Sequence, residues 1–128
     1  MATSSGSEKT LYARIGGYDT LAAIVDEFLQ TAAADPRMGR FSNAMSLDSR
    51  RRNRQLTLDY LCAAAGGPAF YLGKDMKSAH AGLAISSQEW RASMEQVERA
   101  LKKFKVGVQE SQEFYALIED LRDQIVER

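Results

Sequence analysis

Apolar residues recur at intervals of three and four along most of this 128-residue chain. That spacing aligns them on one face of a helix, because an α-helix completes a turn in about 3.6 residues. No alternating pattern of apolar and polar residues, which a half-buried strand requires, runs for a useful length. The sequence therefore predicts an all-α protein with four long helices, at about 19–34, 48–65, 87–105 and 111–126. A short N-terminal helix and a short segment around His80 complete the prediction.

Capping residues and helix breakers indicate where these helices begin and end. Asp19 precedes the first apolar stripe and can cap its helix, and Pro36 follows the end of that helix. Ser86 and Glu89 have the spacing of a capping box, in which each side chain accepts a hydrogen bond from the other residue's backbone amide. Gly107 is the predicted stop of the third long helix.

Charge and cysteine content limit the possible classes of protein. Lys plus Arg and Asp plus Glu are equal at 17 each, so the chain lacks the positive excess of a nucleic-acid-binding domain. The basic run at 50–54 is more typical of a solvated helix face. Cys62 is the only cysteine and lies in an apolar stretch, so we expect a buried thiol and no internal disulfide.

The length and the N-terminal composition predict one soluble domain. Residues 1–9 are small and polar, which is typical of a flexible tail, and residues 10–128 form the predicted single domain. Neither a signal-peptide core nor an apolar run of about 18 residues is present. We therefore expect a cytoplasmic protein with no membrane span.

The only histidine of the chain, His80, lies in an unusual segment. It follows a long loop that starts at Gly66 and precedes Gly82 by two residues. A structural histidine is one interpretation, and a metal ligand is the other. Zinc needs about four protein ligands, whereas a haem iron needs as few as one because the porphyrin supplies four nitrogens. A single histidine in a helical domain therefore fits haem better than other metals, and no sequence signal places a nucleophile beside it for triad catalysis.

Several motifs together resemble the group I truncated haemoglobins. They are "LYARIGGYDTLAAIVDEFLQ", "ADPRMGRF", "LCAAAGGP" and "YLGKDMKSAHAGLAI", followed by a capped helix. Each motif alone is weak, but they occur in the order of the family and at nearly its spacing. The resemblance covers about residues 10 to 126, which is nearly the whole chain.

The resemblance implies a fold and a set of haem-binding residues. The expected fold is a truncated globin, a two-over-two helical sandwich around haem b, with His80 as the proximal ligand of a pentacoordinate iron. Phe41 matches the aromatic residue that packs on the haem face. Tyr71 and Lys77 match positions near the haem propionates, where a hydroxyl and an ammonium can pair with carboxylates. The remaining pocket wall is expected to be apolar and to consist of Phe28, Leu61, Met76, Leu83, Ile85 and Val97.

The distal side departs from the family pattern. Relatives usually have a tyrosine directly after the phenylalanine of "DEF", where it donates a hydrogen bond to bound oxygen, but this chain has Leu29. With the "GGP" motif as anchor, Asn53 and Thr57 fall on the distal face, and either could donate to a ligand. Tyr60 and Gln55 are alternative donors. We therefore expect weaker or faster oxygen binding than in relatives that have the tyrosine.

The resemblance leaves several functions open. The first is reversible binding of oxygen, carbon monoxide and nitric oxide, with oxygen storage or transport as its plain form. The second is nitric oxide dioxygenase activity, which would need a separate reductase because the sequence has no flavin or NAD motif. A haem redox or sensor module and a haem-free interaction domain are the remaining alternatives. We expect a monomer or a weak dimer.

Overall fold

The structure, a computed structural model, describes residues 9–43 and 45–127. These residues form eight helices and no strand. The predicted flexible tail lies outside the described residues except for Lys9. The helices are α1 (Leu11–Arg14), α2 (Gly17–Ala34), α3 (Gly39–Asn43), α4 (Leu47–Ala64), α5 (Met76–His80), α6 (Ser87–Lys103), α7 (Val108–Glu119) and α8 (Arg122–Ile125).

The four long helices form two packed pairs. Helix α2 contacts α4 and also crosses to α6, and α6 packs on α7. The short α1 contacts both α2 and α7, and α5 contacts α8. The prediction of an all-α, two-over-two fold is therefore confirmed. None of the helices in the described ranges is long and apolar enough to cross a membrane.

The core lies where the apolar stripes of the long helices meet. Burial of these side chains removes apolar surface from water and is the main contribution that holds the layers together. Cys62 is part of this core, which confirms the predicted buried thiol. The largest side chains with almost no exposed surface are Leu21, Val25, Leu58, Cys62, Leu101 and Phe114.

The observed caps confirm one prediction and correct another. The capping box of α6 is present, with the Glu89 amide donating to Ser86 Oγ at 3.1 Å and the Ser86 amide donating to Glu89 Oε1 at 3.0 Å. The prediction that Asp19 caps α2 is wrong, because the helix begins earlier, at Gly17, with Gly16 as its N-cap. Asp19 lies in the first turn, where its negative charge interacts favourably with the helix dipole.

Glycines allow the two sharp turns that the sequence suggested. Gly16 and Gly17 have φ angles of 117° and 81°, which let the chain turn between α1 and α2. Gly66 has a φ of 92° directly after α4. A Cβ atom at Gly66 would lie 2.9 Å from Thr10 Cβ, so this position needs glycine for space as well as for conformation.

The predicted single helix at 111–126 is wrong in its start and its continuity. Helix α7 begins at Val108, and the chain turns at Asp120 and Leu121 before α8. The turn redirects α8 so that Ile125 packs with Trp90 and Met94 of α6. The apolar spacing continues through the turn, which is why the sequence pattern did not reveal it. The short helix α3 was also not predicted.

The end of α6 differs from the sequence prediction as well. Lys105, and not Gly107, takes the left-handed conformation that ends the helix, with a φ of 56°. The Val106 amide then donates to the Leu101 carbonyl at 3.0 Å, as in a Schellman motif. Gly107 has a φ of −58° and instead forms the N-cap of α7.

Lys105→Gly is expected to raise the free energy of unfolding by about 1 kcal/mol, because glycine adopts the left-handed conformation without the steric cost of a Cβ atom. Lys102→Gly, inside the last turn of α6, is the matched control and should lower the free energy of unfolding by up to about 1 kcal/mol. Urea unfolding of the three proteins measures both effects. A loss of stability in Lys105→Gly would contradict this explanation of the helix end.

Candidate functional site

A cavity of about 710 Å³ lies between the helix layers. Its wall is mainly apolar and is formed by residues of α2 to α8 and of their connections. A mostly apolar concave site of this size, with a few polar groups, is typical of cofactor binding. The sequence-predicted residues that line it are Phe28, Leu29, Phe41, Asn53, Thr57, Tyr60, Leu61, Tyr71, Met76, His80, Leu83, Ile85 and Val97.

The ring of His80 is held in one orientation at the cavity wall. Its Nδ1 lies 2.8 Å from the carbonyl oxygen of Met76, one helical turn earlier in α5. A carbonyl oxygen can only accept a hydrogen bond, so in the neutral imidazole Nδ1 carries the hydrogen and donates it. Nε2 then has a lone pair that can bind a metal.

The short helix that carries His80 is fixed at its start. Asp75 caps α5, and its carboxylate accepts a hydrogen bond from the Ser78 amide at 3.3 Å. The hydrogen bonds from Ser78 hold the pKa of Asp75 below its usual range, so the cap is charged at neutral pH. Helix α5 also packs on α8, which supports an element too short to be stable alone.

The opposite wall is formed by α2 and α4. Leu29 presents an apolar, half-buried side chain there. Thr57 is half-buried, whereas Asn53 is exposed, so the threonine hydroxyl is the more enclosed of the two polar groups. Gln55 does not line the cavity, and its Nε2 donates to Asp59 Oδ1 at 2.9 Å.

Two tyrosines meet at the cavity wall beside the loop that precedes α5. The rings of Tyr60 and Tyr71 pack edge to face, with centroids 5.1 Å apart and an interplanar angle of 87°. The Tyr71 hydroxyl donates to the carbonyl of Lys74, and burial raises the pKa of this phenol. Lys77 is exposed and, like Gln55, does not line the cavity.

An ion pair that the sequence analysis missed lies at the rim of the cavity. Arg40 of α3 donates from Nε and Nη2 to the carboxylate of Glu89 at 2.7 and 2.9 Å, and both residues line the cavity. The guanidinium also lies over the ring of Phe41, 4.0 Å from its centroid. The hydrogen bonds from Arg40 lower the pKa of Glu89 from 4.5 to about 2, so this pair is charged at neutral pH.

The cavity wall contains further residues that sequence reasoning did not assign to a site. They come from α6, α7 and α8, whose apolar stripes predict burial but do not distinguish a core residue from one that faces a cavity. Two methionines near α3 complete the lining. These residues are Met38, Met45, Trp90, Ser93, Met94, Phe114, Ile118, Leu121 and Ile125.

Comparison with known proteins agrees with this arrangement. The family model described as bacterial-like globin matches residues 10–127. A group 1 truncated haemoglobin of Tetrahymena pyriformis is 30% identical over 98 residues, which are 77% of this chain and 78% of the relative. That of Tetrahymena thermophila is 27% identical over 115 residues, which are 90% of this chain and 93% of the relative.

Solved structures show the same relationship. A crystal structure of truncated haemoglobin from Tetrahymena pyriformis in its Fe(III) form superposes with a TM-score of 0.85 at 28% identity. The match covers 94% of this chain and 100% of that chain. Fold and cavity together are those of a globin with two helices packed over two. The chain belongs to the bacterial-like globin family, within which it is a group 1 truncated haemoglobin, and it is therefore a haem-binding globin.

Neutralisation of Glu89 tests the ion pair between Arg40 and Glu89 at the rim of the cavity. Glu89→Gln is expected to lower the free energy of unfolding by about 1 kcal/mol at neutral pH, because solvent around the half-exposed Arg40 screens the pair. The folded-state pKa of Glu89 is depressed, so its contribution is complete above about pH 4.5 and is lost as the pH falls through about 2. Urea unfolding of both proteins across this range should show their difference shrink with acid.

Glu98→Gln, an equal charge change at an exposed position of α6, is the control for that experiment. A difference between wild type and Glu89→Gln that stays constant from pH 7 to the acid limit would contradict the assigned pKa shift.

Proposed function

We propose that this protein binds haem b through His80 and reversibly binds oxygen, carbon monoxide and nitric oxide at the opposite face of the iron. The observation that carries the proposal is the hydrogen bond from His80 Nδ1 to the Met76 carbonyl, which leaves Nε2 as a metal ligand beside the cavity. A haem held by His80 would supply an iron atom that can bind a diatomic gas. The Fe(III) form of the Tetrahymena pyriformis relative supports iron as the metal.

The hydrogen bond to Met76 also influences the strength of His80 as a ligand. A backbone carbonyl that accepts from Nδ1 fixes the orientation of the ring and makes Nε2 more basic. A neutral carbonyl does so less strongly than a carboxylate would, so the expected ligand is an imidazole and not an imidazolate. This favours a stable bond to both ferrous and ferric iron.

The apolar wall suits the flat face of a porphyrin and excludes water from the iron. Phe28, Phe41 and Val97 provide part of this wall. The polar groups of a haem, its two propionates, would then lie at the solvent edge. There Lys77 is the proposed partner in an ion pair outside the cavity proper, which its exposure allows. Tyr71 is the second proposed partner, and it binds a propionate when its one hydroxyl hydrogen turns away from the Lys74 carbonyl.

The distal wall determines how long a gas ligand stays bound. Leu29 cannot donate a hydrogen bond, so stabilisation of a polarised ligand depends on the more distant polar groups of α4. Thr57 is the better enclosed of these, and Asn53 at the exposed edge is the second candidate. An aliphatic hydroxyl is a weaker hydrogen-bond donor than a phenol, because it is the less acidic group. We therefore propose rapid gas exchange.

His80→Ala is expected to abolish stable haem binding, because the remaining wall offers mainly packing contacts. Haem transfer to an excess of an acceptor apoprotein, followed by absorption spectroscopy, measures the loss. Added imidazole should restore binding and the wild-type ferrous spectrum, since it replaces the missing ligand without a covalent link to the chain.

Asp75→Asn serves as the comparison variant, because it changes the cap of α5 but keeps His80. Tight haem binding with an unchanged spectrum in His80→Ala would contradict the assignment of His80 as the ligand.

Leu29→Tyr is expected to slow oxygen dissociation by at least about tenfold, because a hydrogen bond to a charged or strongly polarised group contributes about 1.5–3 kcal/mol. Stopped-flow mixing of the oxygenated protein with carbon monoxide measures the rate. Leu29→Phe has the same ring without the hydroxyl and separates the hydrogen bond from steric blockage. Equal rates in the tyrosine and phenylalanine variants would contradict the proposed role of this position.

A further inference from the structure

The segment that follows His80 is held by Glu127, which lies beyond α8. The carboxylate of Glu127 accepts hydrogen bonds from the Gly82 amide at 3.2 Å and from the Ala84 amide at 2.7 Å. Its own backbone amide donates to the Ile85 carbonyl at 2.8 Å. Three hydrogen bonds therefore join the chain beyond α8 to the four residues 82–85.

The same segment is held from the other side by Arg40. Nη2 of Arg40 donates to the carbonyl oxygens of Leu83 at 3.0 Å and Ala84 at 3.3 Å. Arg40 belongs to α3, so its bonds connect the segment after His80 to the helix that carries Phe41. The Gly82 and Ala84 amides thus pair with the Glu127 carboxylate, and the Leu83 and Ala84 carbonyls pair with Arg40.

The backbone of this segment needs such contacts. Ala84 has a left-handed φ of 54°, which is unfavourable for a residue with a Cβ atom, and Gly82 has a φ of 83°. Ile85 packs against the core cluster of Trp90, Met94 and Ile125, but Leu83 is 41% exposed. The polar contacts of Glu127 and Arg40 therefore add support at Gly82, Leu83 and Ala84, where packing is weakest.

The held segment is directly coupled to the iron-binding residue. The Leu83 amide donates to the carbonyl of His80 at 3.2 Å, which closes a turn on His80 itself. If residues 82–85 relax, this turn relaxes with them. The last turn of the five-residue α5 can then shift, and with it the ring of His80.

We propose that Glu127, with Arg40 on the opposite side, is a positioning residue for His80 and sets the geometry of the bond between His80 and the iron. This inference rests on the proposed function, because it requires His80 as the ligand. Glu127 then influences gas binding through His80, although its own side chain is exposed and is not part of the cavity wall.

The direct readout is the iron–histidine stretching band in the resonance Raman spectrum of the haem-loaded protein. The spectrum is recorded directly after photolysis of the carbon monoxide complex, which gives a five-coordinate iron whatever the resting sixth ligand is. Glu127→Ala removes both side-chain hydrogen bonds, and Glu127→Gln keeps an acceptor for only one of them. Because this exposed residue lies beyond the last helix, both variants are expected to fold.

We expect the band to shift and broaden in Glu127→Ala, and to do so less in Glu127→Gln. The rate of haem loss should rise by about fivefold in Glu127→Ala, as expected for the loss of one net hydrogen bond. Asp123→Asn, at an α8 position whose side chain is 97% exposed, is the matched control for loss of a nearby negative charge and should leave the band unchanged. Arg40→Lys keeps the charge opposite Glu89 but loses the planar fork, and should also shift the band.

The possible outcomes separate this inference from the proposed function. A wild-type protein without any iron–histidine band after photolysis would overturn His80 as the ligand. A wild-type band that stays unchanged in Glu127→Ala, even with faster haem loss, would show that Glu127 only anchors the C-terminus and would overturn the positioning role. An equal shift in Asp123→Asn would assign the effect to charge alone and would overturn it too.

Discussion

The candidate site depends on one hydrogen bond, from Nδ1 of His80 to the carbonyl of Met76. It exists because α5 completes a helical turn between these residues, yet α5 has only five residues and cannot hold a helical conformation alone. That turn is therefore stabilised by three features: the cap at Asp75, the contact with α8, and the hydrogen bonds of Glu127 and Arg40 to residues 82–85. In the proposed site His80 is the one protein ligand, so no second ligand can correct a misplaced ring and the surrounding structure must define its position.

The sequence predicts the long helices well because their apolar periodicity follows directly from the geometry of packing. It also predicts the capping box at Ser86 and Glu89, which is a local interaction within one turn. It does not predict the left-handed Lys105, because lysine has no intrinsic preference for that conformation and only the tertiary path of the chain requires it. The turn at Leu121 is hidden for another reason, since the apolar spacing continues across it.

The same distinction applies to the candidate site: residues within a local motif are predictable from the sequence, and contacts between distant residues are not. His80 is recognisable because it is the only imidazole and lies in a family motif, and the predicted wall residues follow from that resemblance. The pairing of Arg40 with Glu89 joins residues 49 positions apart, so neither residue carries a local signal of it. Motif position alone places Lys77 near the expected haem propionates, and its side chain is exposed to solvent outside the cavity wall. Motif matching assigns residues to a site, but the fold decides which of them line it.

Arg40 connects several parts of the cavity rim through its hydrogen bonds. A guanidinium has five N–H donors in a plane, so it can bind a carboxylate and backbone carbonyls at the same time, which a lysine ammonium does with much less geometric definition. Here it joins the start of α6 through Glu89, the segment after His80 through the carbonyls of Leu83 and Ala84, and the face of Phe41. A displacement of α3 must therefore disturb either the ion pair or the carbonyl contacts. The two sides of the cavity, which belong to distant parts of the sequence, are mechanically coupled through this one side chain.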